Sequence, residues 1–394
     1  MGNATREKIK KHFLYIFFCL ILFLALIAQS VSALYSQRET FFSTGYSNQY
    51  DSLKKLYYNS QYVIKKDPGI IPDQALESFA AGAFLEGINP INIIHDQPPL
   101  GRYILSLSIL IFDNVNTIMV FLLSLSVLGI FLLSRLVMKN TLLSLLPLGI
   151  SINEPLWVNK FFNTPLLEPI QLTFIIFALY FFIKGIIVKK YIKWFILTSL
   201  MLGFVVSTRF FILGVILALT MILYFMISRQ FDKKFILFLL TLPIGFLVLL
   251  ASYAKTLQLG SSIVNIFGIQ KYIFYYHKAQ LSLPFSFWDL LMFNKWHTWW
   301  GDRAISSDVQ WIIIWPIAMV LTLVQLLAGI LKKVMTSEAE KIITLWVVVY
   351  SLFLSMGETS TRYFSPLLPF IYILAISFLM KMVFKFRNKW KFIK

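Results

Sequence analysis

The sequence contains little charge and almost no cysteine. Only 14% of its 394 residues are charged, and it has four histidines and a single cysteine, Cys19. Soluble globular proteins carry about 25% charged residues. A water-soluble globular domain is therefore excluded, because the chain has too little polar surface. The single cysteine excludes a disulfide bond within the chain.

Apolar residues are in excess instead. Hydrophobic residues make up 58% of the chain and aromatic residues 17%, with a mean hydropathy of +0.74. This composition predicts an all-α polytopic membrane protein in which residues 1–394 form one integral membrane domain. The first apolar segment exceeds a signal-peptide core and is interpreted as an uncleaved helix. Segments predicted to cross the membrane are 13–34, 115–138, 141–152, 165–183, 194–208, 210–227, 235–253, 310–331, 342–356 and 363–380.

Basic residues set the predicted orientation of these segments. The net charge is +18, and nucleic-acid binding is set aside because the basic residues lie in short clusters between apolar runs. If segment 98–112 lies at the interface or re-enters, the basic connectors all fall on one side and hold 22 of 36 Lys and Arg but 4 of 18 acids. This arrangement predicts ten crossings with both ends of the chain in the cytoplasm. The alternative is eleven crossings, in which segment 98–112 also crosses. Loops 35–114 and 254–309 are then outside, and tail 381–394 is either a topology signal or contacts anionic lipid headgroups.

The first outer loop contains a predicted helix that begins at Pro72 and Asp73 and ends at Gly87. Apolar residues on one stripe predict that this helix lies on the membrane surface. Asp73 would then lie at a helix amino terminus at the water boundary, where a carboxylate is stabilised. It is either a functional acid or an N-terminal cap.

A second acidic residue of this loop precedes a proline pair in the segment His95–Arg102. Pro98 and Pro99 fix the direction of the chain as it meets the membrane, which holds Asp96 at the interface. Taken alone, this is the capped beginning of an interfacial helix. Arg102 either contributes to binding or extends to lipid headgroups.

Four stretches in order resemble a known family. They are the Asp73 helix with the Asp96 to Arg102 segment, the segment 163–169 containing Glu168, the segment 203–210 containing Arg209, and the segment 361–369 containing Arg362. They are similar to the dolichyl-phosphate-mannose protein mannosyltransferases and to the undecaprenyl-phosphate-aminoarabinose lipid A transferases. Both belong to the GT-C superfamily of multi-pass, lipid-phosphate-sugar glycosyltransferases.

The resemblance implies roles for these residues. Asp73 matches the family's essential carboxylate, which binds and deprotonates the acceptor. Asp96 matches the acid that lies beside the donor phosphate or a divalent metal. The chain has Gln74 where the family commonly has Glu, and Gln97 where it has His or Lys. The second difference removes a usual cation.

Another group would then have to serve in place of that cation. The candidates are His95, Arg102 or a divalent metal, which Asp96 would hold together with His277.

The chemistry of sugar transfer requires the same kinds of groups, a base and cations. Transfer of a sugar from a polyprenyl phosphate needs one base on the acceptor and positive charge where the phosphate leaves. Single-step displacement inverts the anomeric centre. Arg209 and Arg362 are the candidate cations, although each could instead cap a connection between helices. Glu168 lies among apolar residues and should point into the bundle, because an ionised group facing lipid is costly.

We therefore predict a glycosyltransferase at the outer face of the plasma membrane. Its partners would be a polyprenyl-phosphate-linked sugar, a protein, lipid or glycan acceptor, and membrane lipids. A flippase or transporter of lipid-linked saccharides is the alternative; it is disfavoured because no internal repeat or row of mid-span charges is present. An inactive scaffold is the third class. The sequence does not identify the sugar or the acceptor.

Overall fold

A computed structural model describes residues 3–278, 283–298, 304–332 and 337–391. In these ranges the chain is helical apart from one two-stranded hairpin, which confirms the predicted all-α class. The helices are α1 (Asn3–Ser36), α2 (Arg38–Phe42), α3 (Tyr46–Tyr58), α4 (Asp73–Leu85), α5 (Pro90–Ile93), α6 (Leu100–Phe112), α7 (Thr117–Met138), α8 (Thr141–Ile152), α9 (Pro155–Phe162), α10 (Leu167–Ile187), α11 (Ile192–Thr208), α12 (Ile212–Ile227), α13 (Lys233–Ser252), α14 (Ala254–Gln258), α15 (Ile263–Lys278), α16 (Ser286–Phe293), α17 (Ile314–Lys332), α18 (Glu338–Leu354) and α19 (Leu368–Lys391), with strands β1 (Trp296–His297) and β2 (Ile305–Ser306) and a 3-10 turn at Thr361–Tyr363.

Each of the ten predicted membrane segments coincides with a helix. Within the described ranges, five helices have both the length and the apolarity to cross a membrane, namely α1 from Phe13 onward, α7, α10, α13 and α17. Helices α8 and α9 form a sixth candidate that bends by 66° at its break. Helices α11 and α12 and the apolar part of α19, Leu368–Val383, are shorter. The chain is therefore an integral membrane protein, and the number of ten crossings stays a prediction.

Helix α10 is the centre of the bundle. It packs against α7, α11 and α18, and two thirds of its most apolar stretch is buried. Next to it, α11 and α13 approach closely at Gly203 and Gly245, where a Cβ on Gly203 would lie 2.9 Å from the Gly245 Cα. Small residues at such a crossing let two membrane helices bring their backbones into contact. The packing holds the ends of these helices in fixed positions.

The first outer loop folds into a small helical layer with its own core. Helix α4 lies between α3 and α6, and Tyr46 Oη donates a hydrogen bond to the Ser78 carbonyl at 2.6 Å. On the opposite side, Ser106 Oγ donates to the Ala81 carbonyl at 2.7 Å. The core of this layer consists of Tyr57, Ile71, Leu76, Phe79, Ala80, Ala83, Phe84, Ile93 and Ile94.

Helix α4 is buried on more sides than its apolar stripe predicted. The helix begins at Asp73 and reaches its end just before Gly87, as predicted, and Gly87 adopts the left-handed conformation typical of such ends. However, every residue from 76 to 84 is buried, including Glu77 and Ser78. Arg102 of α6 covers Glu77 and Tyr46 of α3 covers Ser78, so α4 is an internal helix of the layer, and the position of this layer on the membrane surface stays a prediction.

Helix α6 begins and ends beside the first outer loop. At its start, Arg102 donates to the Ile94 carbonyl, and at its end the Asp113 carboxylate accepts from the Gly45 backbone amide at 2.7 Å. Its 13 residues span about 20 Å, less than the roughly 30 Å of the hydrocarbon layer. These contacts support the placement of segment 98–112 at the interface without a crossing.

Candidate active site

The candidate site lies at one end of the bundle, where the connections predicted to be outside come together; we call this the outer end. Glu168, in the first turn of α10, is its centre and is 6% exposed. Its Oε1 atom lies 2.7 Å from Arg362 Nη2, 3.2 Å from Arg209 Nη2 and 3.7 Å from Lys160 Nζ. Three cations from three different connections therefore surround one carboxylate.

Asp73 joins this group through Arg362. The Arg362 guanidinium bridges the two acids, because its Nη2 atom also lies 3.1 Å from Asp73 Oδ2. Glu168 is the main reason that the pKa of Arg362 is raised above its ordinary value, so the bridge stays charged. Pro72 is the N-cap of α4 and Asp73 is its first residue, with no capping hydrogen bond from a side chain. The interpretation of Asp73 as an N-cap is therefore wrong.

The environment of Asp73 suits an acid that meets a substrate. Its side chain is 53% exposed, whereas that of Glu168 is 5% exposed. In the described structure Arg362 donates a hydrogen bond to Oδ2. The helix amino terminus favours negative charge at this position. Asp73 is thus oriented by Arg362, while about half of its side chain stays accessible to solvent.

Arg209 follows α11 and lies in the short connection to α12. Its guanidinium contacts Glu168 and lies 5.8 Å from the centre of the Tyr363 ring. The residue occupies a tight connection, as one interpretation held, but its side chain turns into the site. A cation against an aromatic face and a carboxylate is held in a defined orientation.

Lys160, on α9, was missed by the sequence analysis. Its side chain is 13% exposed and points toward Glu168. Helix α9 is fixed at its start by Glu154, whose carboxylate accepts hydrogen bonds from the Leu156 and Trp157 amides. This cap places Lys160, less than two turns further on, against the amino end of α10.

Arg102 and Asp96 form a second, neighbouring group with Glu77. Arg102 is 1% exposed and makes a two-point contact with Glu77, at 2.8 Å and 3.1 Å. Its Nη2 atom also lies 3.6 Å from Asp96 Oδ1. The interpretation that Arg102 extends to lipid headgroups is therefore wrong, because the side chain is buried inside the outer layer. Since Glu77 is one helical turn after Asp73, α4 connects the two groups.

The sequence analysis also predicted a divalent metal held by Asp96 and His277. Among them, no group of three or more His, Cys, Asp or Glu side chains is arranged to hold a metal ion. Asp96 has a guanidinium beside it, which disfavours a bound cation. The side chain of His277 lies outside the described residues, so the predicted pairing of His277 with Asp96 stays a prediction.

An apolar cleft of about 900 Å³ opens beside the cations. Its polar lining residues are Gln97, the neighbour of Asp96, Gln171, Arg209, Glu358, Thr359 and Tyr363. The remaining wall is mostly apolar and includes Phe210, Ile212, Leu213, Phe274, Phe353 and Leu354. The arrangement is suited to a ligand with an anionic head and a long apolar tail.

Comparison with known proteins points in the same direction. Residues 96–253 match the family described as dolichyl-phosphate-mannose-protein mannosyltransferase. This match contains Asp96, Lys160, Glu168 and Arg209 and covers about two fifths of the chain. A search of curated proteins finds no match.

The fold is similar to that of ArnT from Cupriavidus metallidurans. The structure of ArnT bound to undecaprenyl phosphate aligns with a TM-score of 0.58 and 14% identity, over 90% of this chain and 60% of that one. The apo structure of the same protein aligns with a TM-score of 0.51, at the same identity and coverage. This chain therefore spans about three fifths of the length of ArnT. The resemblance to the GT-C glycosyltransferases, predicted from four motifs, is confirmed by a family match over residues 96–253 and by the fold.

Proposed function

We propose that this protein transfers a sugar from a polyprenyl-phosphate donor to a hydroxyl or amine acceptor at the outer face of the plasma membrane. The observation that carries the proposal is that ion pairs join Asp73 and Glu168 to three cations and that one of these cations, Arg209, also lines the apolar cleft. ArnT, which has a similar fold, was solved with undecaprenyl phosphate. The site offers both the charge and the apolar wall that such a lipid needs.

Asp73 acts as the base in this proposal. The acceptor oxygen or nitrogen attacks the anomeric carbon while its proton moves to the Asp73 carboxylate. Arg362 holds the carboxylate by Oδ2 and so orients it. Proximity of base and acceptor lowers the barrier because the proton leaves as the new bond forms.

Arg209 and Lys160 hold the leaving group. The bond between the anomeric carbon and the phosphate oxygen breaks, and the electron pair stays on the phosphate. The additional negative charge is stabilised by fixed cations that are already in place. Because the attack and the departure occur in one step, the anomeric centre is inverted. The polyprenyl chain lies along the apolar wall of the cleft.

Glu168 positions the cations. Its carboxylate is almost fully enclosed and contacts Lys160, Arg209 and Arg362 through one oxygen. Without it, three positive charges would repel one another in a partly buried space. In this proposal Glu168 is a positioning residue, whereas Asp73 contacts the acceptor.

The proposal is tested by comparing purified wild-type protein with Asp73→Asn in a transfer assay that uses a polyprenyl-phosphate hexose. We expect the substitution to lower the rate by about 100-fold or more, because general-base catalysis typically contributes that much. The matched control is Asp51→Asn, an exposed acid on α3 in the same loop. Equal rates for wild type and Asp73→Asn would rule out the base assignment.

A further inference from the structure

The end of the bundle opposite the candidate site carries a separate basic surface. Glu168 lies at the start of α10 and Lys184 lies in its last turn. The 21 residues of α10 span about 30 Å, which matches the hydrocarbon thickness of a bilayer. The basic surface therefore lies one membrane thickness away from Glu168, at the level of the other row of headgroups.

Two turns form this surface, residues 184–193 and 229–234. Together they contain seven Lys and Arg and one acid, Asp232. The Asp232 carboxylate is occupied as the cap of α13, where it accepts from the Lys234 and Phe235 amides. Lys234 joins the two turns, because its Nζ donates to the Ile186 carbonyl and lies 5.4 Å from the centre of the Tyr191 ring.

A groove of about 870 Å³ lies on this surface. Lys189, Lys190 and Lys193 line it, and in the described structure none of the three makes an ion pair. Ile192 and Ile196, which are 57% and 41% exposed, form its apolar wall. The groove thus combines three lysines that make no ion pair with apolar surface along the first turns of α11; Lys193 Nζ lies 4.8 Å from the centre of the Trp194 ring.

The groove fits a phospholipid better than a soluble anion. A soluble anion would use the lysines and leave the isoleucine wall in contact with water, whereas a lipid uses both because its headgroup and chain are joined. Basic residues near a membrane surface attract anionic lipids. The groove lies at the end of α10, one bilayer thickness from Glu168, which is the level of the lipid headgroups.

We propose that this groove binds the headgroup of an anionic phospholipid, with Lys189, Lys190 and Lys193 on the phosphate and an acyl chain along Ile192 and Ile196. The proposal is independent of the sugar-transfer proposal, because it concerns the opposite end of the bundle.

The test measures which lipids stay bound to the purified full-length protein. Wild type and the triple variant Lys189→Gln/Lys190→Gln/Lys193→Gln are equilibrated with mixed micelles of phosphatidylglycerol and phosphatidylcholine, and retained lipids are quantified. We expect wild type to prefer phosphatidylglycerol. The preference should fall by about fivefold per lysine removed, and the triple Lys→Arg variant should keep it.

The matched control removes the same charge at the other end. Lys55→Gln/Lys65→Gln/Lys66→Gln changes three exposed lysines of the first outer loop and should leave the preference unchanged. If the triple groove variant fails to fold, Lys193→Gln alone provides the fivefold test. An unchanged preference in the groove variant, or an equal loss in the control, would overturn the proposal. So would displacement of phosphatidylglycerol by inorganic phosphate, because the groove would then be a site for soluble phosphate.

Discussion

The contacts of Glu168 show why the site favours an anionic ligand. Lys160, Arg209 and Arg362 contribute three positive charges, and Glu168 and Asp73 contribute two negative charges. Glu358 adds a third carboxylate, in the lining of the neighbouring cleft. Of the three cations only Arg209 lines that cleft, where charges are screened less than in water, so in our proposal Arg209 is the cation that meets the lipid phosphate.

Removal of Arg209 should therefore abolish lipid-phosphate binding. We expect undecaprenyl phosphate to raise the unfolding temperature of the detergent-solubilised wild type, because a ligand that binds only the folded state stabilises it. Arg209→Ala should remove most of this increase, since it deletes the cation that lines the cleft. Arg135→Ala, at an exposed arginine near the end of α7, is the control. A full increase in Arg209→Ala would contradict the assignment.

Lys160 was missed although the sequence carries a signal for it. The short connectors that the positive-inside rule assigns to the outside contain three basic residues, Lys160, Arg209 and Arg362. These are the residues that contact Glu168. A basic residue in a short connector that the positive-inside rule assigns to the outside is thus a signal for a residue of the candidate site. The motifs identified two of the three, and Lys160 lies outside every motif.

The buried pair of Glu77 and Arg102 should contribute to stability rather than to binding. Glu77→Gln leaves the buried guanidinium with only the more distant Asp96, at 3.6 Å, as an ionic partner, and we expect it to lower the free energy of unfolding by about 3 kcal/mol, the lower end for a broken buried ion pair. The double variant Glu77→Gln/Arg102→Met, which removes both charges, should recover part of this loss. Thermal unfolding measures both effects. A double variant less stable than Glu77→Gln alone would contradict this account of the pair.

At the level of elements, α4 shows how much the apolar periodicity of one helix can predict about its burial. The apolar stripe correctly predicted a helix and the side that is buried, but it also implied a free polar side. The structure covers Glu77 on that side with Arg102 of α6, and Tyr46 and Tyr50 of α3 lie against the helix at Gly82. A residue can be buried by a neighbouring helix, and the sequence of its own helix does not predict that neighbour. The two tyrosines were therefore not predictable from the pattern of α4.

This close contact makes Gly82 a sensitive position. A Cβ at Gly82 would lie 2.3 Å from Tyr46 Oη and 2.7 Å from Tyr50 Cε2, so Gly82→Ala forces α3 to move. We expect a loss of about 1–3 kcal/mol in unfolding free energy, as is typical of overpacking. Gly268→Ala is the control, because nothing lies within 4 Å of a Cβ at this helical glycine. An equal effect of the two substitutions in denaturation would contradict the prediction.

For the whole molecule, orientation decides which end meets the donor. Ten crossings place the first outer loop and the candidate site on one side and the short basic turns on the other. An α6 that crossed would instead move Lys139 to the side of that loop. The single native cysteine, Cys19, makes this testable because one substitution gives a cysteine-free chain.

We expect labelling of intact cells to distinguish ten from eleven crossings. In a Cys19→Ala background, a thiol reagent that does not enter cells should modify Lys65→Cys and leave Lys139→Cys unmodified; both lysines are exposed. Permeabilised cells, in which both should react, are the control. Modification of both variants in intact cells would instead support eleven crossings.

The sequence alone determined the membrane class and the positions of the helices, and it predicted the end at which the candidate acids gather. These properties depend on hydropathy, charge bias and short motifs, all of which are local. The tertiary structure decided which charges meet. Arg362 contacts Glu168 and Asp73, which are 194 and 289 positions away. Such pairing depends on how the helices pack, and periodicity within one helix carries no information about it.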